Sequence, residues 1–264
     1  TTASQSVTVV GRSERMVRLE MKLGEDAALW DEFEPNVYRL SVGITSDSGS
    51  DHATTDFGLR DVGTAGGRIT VNGTPVFLRG TLDCAIYPLT GYAPMDTPAW
   101  ERGFSRVKEF GLNHVRYHSW CPPRAAFEAA DKIGVYLQVE GPFWVNQGPE
   151  LGRGQPIDGY VYEETDRILA EFGNHPSFVM MAYGNEPTGP GRGGVYLTEW
   201  VDRHKQLDPR RLYTSASGWP LIDASEYHVG YQPRIQRWGE KYADTARSKG
   251  WRTETTMRYS ASAS

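Results

Sequence analysis

The sequence predicts an α/β chain, with a β-rich module over residues 1–66 followed by a parallel (β/α) barrel over 67–264. Three observations carry this expectation. Strand-like apolar runs and helical periods alternate in five successive units after residue 67, the signature of a parallel sheet with helices outside. Glycines stand where helices need a left-handed residue to stop. Each expected strand exit is polar or aromatic, which suits the mouth of a barrel better than an open sheet binding a dinucleotide.

Composition narrows the class. Hydrophobic residues make up 39% and charged residues 23%, enough apolar material for a core and too much for a disordered chain. No apolar run approaches the about 20 residues that span a bilayer, so no membrane partner is expected. The 28 Lys plus Arg against 33 Asp plus Glu give a net charge of −5, which argues against nucleic acid as a partner. Cys84 and Cys121 are too few for a disulfide framework and lack zinc-site spacing. The opening TTASQSVTVV lacks the basic start and apolar stretch of a secretory leader. A leader is then absent or already removed, and removal would favour a periplasmic or secreted location over a cytoplasmic one. Eight Trp among 12% aromatic residues hint at stacking on flat apolar faces such as those of sugars.

The elements follow in order. Ser6–Val10, Met16–Leu23 and Asn36–Ile44 mix β-branched and alternating residues and predict strands of a small sandwich. Ser46–Thr55, SDSGSDHATT, is polar and turn-forming and reads as an exposed hairpin loop. Arg68–Val71 and Pro75–Arg79 flank Asn72-Gly73, whose positive φ values make a two-residue hairpin turn. Val76–Leu82 is the first barrel strand, and Pro98–Phe110 is a helix capped by Thr97 and stopped by Gly111. His114–Ser119 is a strand, Pro123–Lys132 a helix opened by proline and closed by Gly134, and Val135–Glu140 the next strand. Tyr160–Phe172 is a helix ended by Gly173, Phe178–Tyr183 a buried strand, Val195–Gln206 a helix and Leu212–Ser215 a strand. After Trp219 the rhythm weakens into Tyr227–Tyr231, a basic amphipathic stretch over Arg237–Lys249, and the low-complexity end Ser260–Ser264.

In a parallel barrel the chemistry lies at the carboxyl ends of the strands. The places to search are therefore Asp83, His118 to Trp120, Glu140 to Trp144, Gly184 to Pro187 and Ser217 to Trp219. No Gly-x-Gly-x-x-Gly follows a strand, and Gly-x-Ser-x-Gly is absent, so neither nucleotide chemistry nor a serine hydrolase is expected. His118 has no partner at i+4 and no Cys-x-x-Cys setting, so no metal or cofactor is expected. The sharpest string is Asn174 to Pro187, NHPSFVMMAYGNEP. It is a buried strand ending in Asn185-Glu186, and a carboxyl so placed, beside an amide and backed by aromatics, suits a general acid. An isolated strand-end Glu is ordinarily a loop salt bridge. The surrounding string decides otherwise.

NHPSFVMMAYGNEP resembles the acid/base strand of the glycoside hydrolase family 2 enzymes, the β-galactosidase and β-glucuronidase group. That resemblance implies that Glu186 protonates the leaving glycosidic oxygen and later activates water, while Asn185 binds the sugar 2-hydroxyl. Leu29-Trp30-Asp31 with Glu34 to Leu40, and Phe57-Gly58-Leu59-Arg60, are similar to segments of the family's immunoglobulin-like domain. Asn72 to Gly80 is similar to its entry into the first barrel strand. Asn113 to His118 with Pro122-Pro123 resembles its second strand, where the family's Arg supports the nucleophile and its His faces the sugar; these roles fall to Arg116 and His118. The resemblance runs from about Leu29 to Trp219 and implies a partial (β/α)8 TIM barrel preceded by a remnant of an immunoglobulin-like β-sandwich.

Glu140 ends the third strand, where it stands either beside the sugar or in a structural ion pair. Trp120, Trp144 and Trp219 follow strands and serve either as sugar platforms or as core. Asp83 and Cys84 occupy the first exit, where the family's galactosidases carry an Asn-x-His-Glu type segment, a departure that bears on sugar identity. A retaining mechanism needs a second carboxylate about 5 Å from the acid/base. In the family it lies on the seventh strand, and no late carboxylate here sits in a matching string; Glu226 and Glu140 are the local alternatives. The barrel is also shorter than the typical about 250 residues. The expectation is an internal piece or a shortened relative whose exposed edges favour homo-oligomers. The resulting reading is a retaining β-glycosidase, β-galactoside before β-glucuronide. Its rivals are a catalytically impaired carbohydrate-binding fragment and an endo-acting glycanase, which shares the Asn-Glu strand but lacks the Leu29–Arg60 signature.

Overall fold

The computed structural model describes residues 1–144, 150–187, 193–218, 220, 222–229 and 259–261. Before the barrel the chain forms one long antiparallel hairpin, β1 (Tyr38–Ser46) and β2 (Gly49–Phe57), in register from Tyr38–Phe57 to Ser46–Gly49. The loop expected over 46–55 shrinks to a turn, because the polar residues from Gly49 onward are β2 itself. A strand with both faces exposed carries no apolar alternation, so its sequence looks like a loop. The strands expected at 6–10 and 16–23 do not form, and Val10 and Met16 are exposed. Among the described residues no third strand pairs with the hairpin, so those segments have no ladder partner. The sandwich expected over 1–66 is represented by one hairpin.

A second small sheet follows, β3 (Val62–Ala65), β4 (Arg68–Val71) and β5 (Thr74–Pro75). Its turns are Gly66-Gly67 and Asn72-Gly73, all with positive φ, the geometry that two-residue hairpins need. Val62, Ile69 and Val71 of this sheet are buried.

The barrel then runs β6 (Gly80–Asp83), α1 (Thr97–Glu109), β7 (His114–Tyr117), α2 (Arg124–Ile133), β8 (Tyr136–Glu140), α3 (Pro156–Phe172), β9 (Phe178–Ala182), α4 (Gly193–Leu207) and β10 (Leu212–Thr214). The five strands are parallel and neighbour one another in chain order. β11 (Tyr227–Val229) continues the series through a parallel bridge from Ser217 to Val229, and pairs on its other side with β12 (Tyr259–Ala261), antiparallel. The stretch expected as a basic helix over Arg237–Lys249 lies outside the described residues.

Local chemistry sets the helix ends. Asp96, not Thr97, caps α1 by accepting the Ala99 N–H at 2.9 Å; the Thr97 hydroxyl instead donates to Glu128 of α2 at 2.7 Å. Gly134 ends α2 at φ 76°, where a side chain would also strike the Glu32 carbonyl. α3 begins a turn earlier than expected, because the Asp158 carboxylate accepts the N–H groups of Gly152, Gly154 and Gln155 and gathers the loop ahead of it.

Parallel strands covered on both faces are largely apolar; β8 and β9 are buried at every position, with Gln138 and Glu140 the polar members of β8. One core cluster lies between sheet and helices, with Phe127, Leu137, Phe178 and Trp200 among its largest members. The second fills the barrel with Tyr136, Met180, Leu212 and Tyr227 and includes Ile69, Val71 and Trp30 from the preceding segments. Trp30 is fully buried; its indole donates to the Asp131 carbonyl at 2.8 Å and its ring meets Tyr136 edge-on. Arg60 donates to the carbonyls of Pro176, Phe178 and Arg210. These contacts tie the N-terminal segments to the end of the barrel opposite the strand exits.

Candidate functional site

The strand exits gather most of the expected residues. β7 and β8 are in register with Arg116 opposite Gln138. Because side chains alternate along a strand, Gln138 and Glu140 share one face. Glu140 is fully buried. Its Oε1 accepts Arg116 Nε at 2.5 Å, Gln138 Nε2 at 3.1 Å and the Ser217 hydroxyl, and its Oε2 accepts the Ser119 N–H at 2.8 Å. Four donors, one of them a guanidinium, compensate a carboxylate that would otherwise be too costly to bury. Glu140 thus forms a buried ion pair with Arg116 at the exit of β8.

Arg116 reaches onward with its second nitrogen to Asn185 Oδ1 at 2.5 Å. With its oxygen so engaged, the Asn185 amide has its N–H donors to offer a ligand. The Asn185 backbone is anchored too, its N–H donating to the Phe143 carbonyl at 2.8 Å. Glu186 follows at φ +45° and donates its N–H to the Ser217 carbonyl at 2.9 Å. Its side chain is partly buried and lies over Gly218, where an added Cβ would come within 2.9 Å of Glu186 Cγ. Glycine at 218 leaves that space open.

Among the described residues four non-glycine positions have positive φ, and Ala85, Ser119 and Glu186 stand at the exits of β6, β7 and β9. Such conformations cost about 1–3 kcal/mol each and persist where the surroundings enforce them. Here they aim the Ser119 N–H at Glu140 and turn Glu186 away from the strand direction.

The remaining expected residues are placed less centrally. The Asp83 carboxylate accepts the Ala85 N–H at 2.8 Å and the Tyr87 hydroxyl at 3.0 Å, organising its own exit loop. Burial, reinforced by that carboxylate, pushes the Tyr87 phenol above its ordinary range. The His118 ring meets the largely exposed Trp144 edge-on at 4.6 Å, and its Nδ1 lies 3.0 Å from the Ser119 hydroxyl. Trp120 is half-buried, donating to the Asp83 carbonyl at 3.1 Å and packing edge-on against Tyr117 and Tyr87. Its indole N–H is thereby used within the protein. Trp219 lies outside the described residues. Glu226 precedes β11, at the opposite end from the exits, where it accepts the Tyr213 N–H and pairs with Lys205. That position removes it as a partner for Glu186 in this arrangement.

Sequence reasoning gave no role to Gln138, Ser119 or the Ser217 hydroxyl. The signal for Gln138 was its place two residues before Glu140, on the same strand face. Ser217 had only its place at an exit. Among the described residues no group of three His, Cys, Asp or Glu side chains is arranged to hold a metal ion, and no helix is long and apolar enough to cross a membrane.

Known proteins share this fold. A curated β-galactosidase from Oenococcus oeni is 27% identical over 218 residues, covering 81% of this chain and 21% of that protein. The FMN-binding β-glucuronidase from Facaelibacterium prausnitzii superposes with a TM-score of 0.68 at 20% identity, over 85% of this chain and 37% of that one. The Parabacteroides merdae β-glucuronidase gives 0.62 at 21% identity, over 71% and 25%. The chain thus spans about a fifth of the curated relative it matches, and the two structures show a shared fold. The profile of the glycosyl hydrolases family 2 TIM barrel domain matches residues 62–261, from the sheet that enters the barrel to β12. With the Asn185-Glu186 exit falling inside that match, the chain belongs to glycosyl hydrolase family 2 and carries its TIM barrel domain.

Proposed function

We propose that this domain hydrolyses β-glycosides, with Glu186 as general acid/base and Asn185 as donor to the sugar 2-hydroxyl. The observation that carries the reading is the Arg116–Asn185 hydrogen bond, which holds the amide oxygen of the residue beside Glu186 and leaves its N–H donors for a ligand. As the glycosidic bond breaks, the Glu186 carboxyl gives its proton to the departing oxygen; its carboxylate then takes a proton back from the water whose oxygen forms the new bond to the anomeric carbon. Arg116 and Glu140 act beneath them as a fixed, fully hydrogen-bonded charge pair. Glu140 has all its donors in place and Glu226 is at the other end of the barrel, so neither is assigned as the second carboxylate. His118 and Trp144 form a rim pair suited to a sugar face. A β-galactoside is the first substrate class, supported by the 27% identical curated relative, and a β-glucuronide the second.

The test is hydrolysis of aryl β-galactosides and β-glucuronides by this 264-residue chain and by Glu186→Gln, with and without azide. Removal of a general acid costs about 10²–10⁴-fold, so Glu186→Gln should lose that much on phenyl glycosides and far less on dinitrophenyl glycosides, whose leaving group needs no proton. Equal losses on both would remove Glu186 from the acid role. A folded preparation that binds glycosides but turns over none, even with azide, leaves a carbohydrate-binding domain.

A further inference from the structure

Beneath the Asn185-Glu186 exit runs a continuous buried chain of polar contacts that the proposed chemistry does not itself use. The Ser217 hydroxyl, 1% exposed, donates to Glu140 Oε1 and accepts Gln138 Nε2 at 2.8 Å. Gln138, fully buried, also donates to Glu140 at 3.1 Å. Glu140 holds Arg116, and Arg116 holds the oxygen of Asn185. The backbone of Ser217 meets the same exit from the other side: its carbonyl accepts the Glu186 N–H, and its N–H donates to the Gly184 carbonyl, both at 2.9 Å. Ser217, three residues past β10, therefore clasps the acid/base strand through its backbone and the Arg–Glu pair through its side chain.

We infer that Ser217 and Gln138 are positioning residues that, through Glu140 and Arg116, hold Asn185 in the orientation that donates to a sugar 2-hydroxyl. The reasoning turns on what an unlocked site would allow. Without Ser217 Oγ, Glu140 loses a donor and Gln138 loses an acceptor, so the carboxylate can shift within its shell. The guanidinium follows the carboxylate, because their bond is the shortest route for its charge. Asn185 is then free to rotate its amide and present oxygen instead of nitrogen. The penalty falls on ligands with a 2-hydroxyl and spares those without one, a selectivity that general loosening of the barrel would not produce.

The inference rests on the proposed sugar contact of Asn185, and its test separates the two. The probes are methyl β-galactoside and its 2-deoxy analogue, titrated calorimetrically into the wild-type chain, Ser217→Ala, Gln138→Met and Ser217→Thr, each first checked for a cooperative melt. The expected result is a preference for the 2-hydroxy glycoside in wild type, and a reduction of that preference by up to about tenfold, the scale of one hydrogen bond, in both Ser217→Ala and Gln138→Met. Affinity for the 2-deoxy sugar should stay the same, and Ser217→Thr, which keeps the hydroxyl, should restore the preference. If the folded alanine and methionine variants keep the wild-type preference, or weaken both sugars equally, the positioning role is overturned while the glycoside reading stands. If wild type binds both glycosides without preference, or binds neither, the Asn185 contact itself is wrong and the inference falls with it.

Discussion

Two buried arginine–carboxylate pairs stand at opposite ends of the barrel and do different work. At the exits, Arg116 pairs with Glu140 through Nε and donates from a second nitrogen to the side chain of Asn185. At the other end, just before β10, Arg211 pairs with Asp208 at 2.7 Å and also donates to the carbonyls of Phe178 and Gly173 at 3.0 and 2.9 Å. Its guanidinium lies 4.0 Å from the centre of the Phe178 ring. Burial alone would raise the Asp208 carboxyl, but the hydrogen bonds and charges of Arg210 and Arg211 outweigh it and hold the group well below the usual carboxylate range. The chemistry of the two pairs is the same and the endpoints differ. Donors that end on backbone carbonyls fix the path of the chain, whereas donors that end on a side chain fix the orientation of a group that can act on a ligand.

The largest effects should come from breaking each pair in turn. Glu140→Gln and Asp208→Asn each leave a buried guanidinium without its counter-charge, which costs about 3–5 kcal/mol and should appear as an earlier urea midpoint at unchanged slope. Only the first should also alter function. At a temperature where both variants are folded, Glu140→Gln should lose the 2-hydroxyl preference, and glycoside turnover with it, while Asp208→Asn retains both. Equal functional losses in the two variants would show that the exit pair is structural, like its counterpart.

A smaller effect tests how firmly the preceding segment closes the barrel. Trp30→Phe keeps an aromatic ring against Tyr136 but removes the indole N–H that satisfies the Asp131 carbonyl. A buried acceptor left unpaired, with a small void beside it, costs about 1–3 kcal/mol. The loss should be read as a lower Tm with unchanged sugar affinity, since the substitution acts at the end away from Glu186.

The barrel was largely legible in the sequence because its signals are local. Gly111 and Gly134 mark helix ends through their own φ values, and the continuous apolar run of β9 reflects burial on both faces. What lies before it was less so. Residues 6–10 and 16–23 carry strand-like composition, but a strand needs a neighbour, and none is supplied within the described residues. Thr97 and Asp96 are both good caps, and only the position of the Ala99 N–H decides between them. In the candidate site, Asn185, Glu186 and Arg116 were singled out by strings that resemble a family and Glu140 by its place at a strand exit. Gln138 and Ser217 could not be given roles, because their contacts depend on how β8 registers with β7 and on where the chain turns after β10. Trp120 showed the converse limit: its place at an exit was right, yet its indole is committed to Asp83.

The smallest effect concerns the strand that joins the two ends. β7 carries His114 two residues before Arg116, on the same face. His114 is fully buried, with Nδ1 2.9 Å from the Tyr136 carbonyl. Burial, helped by the positive charge of Arg116, lowers its pKa from the ordinary 6.5 to about 3. The folded state therefore keeps this histidine neutral at pH values where the unfolded chain protonates it. More protons bound by the unfolded chain means that stability falls as pH drops from about 6.5 toward 3. His204, also lowered by burial, contributes in the same direction, whereas Asp208 loses its stabilising charge only below the ordinary carboxylate range. Urea unfolding at pH 7 and 5.5 isolates the histidine window. For His114 the linkage amounts to about 1 kcal/mol between those values, and His114→Gln should flatten the dependence by about that much while lowering stability at both. An unchanged slope would mean that the site opens to solvent readily enough to protonate while folded, and that the middle of β7 is less firmly closed than either end.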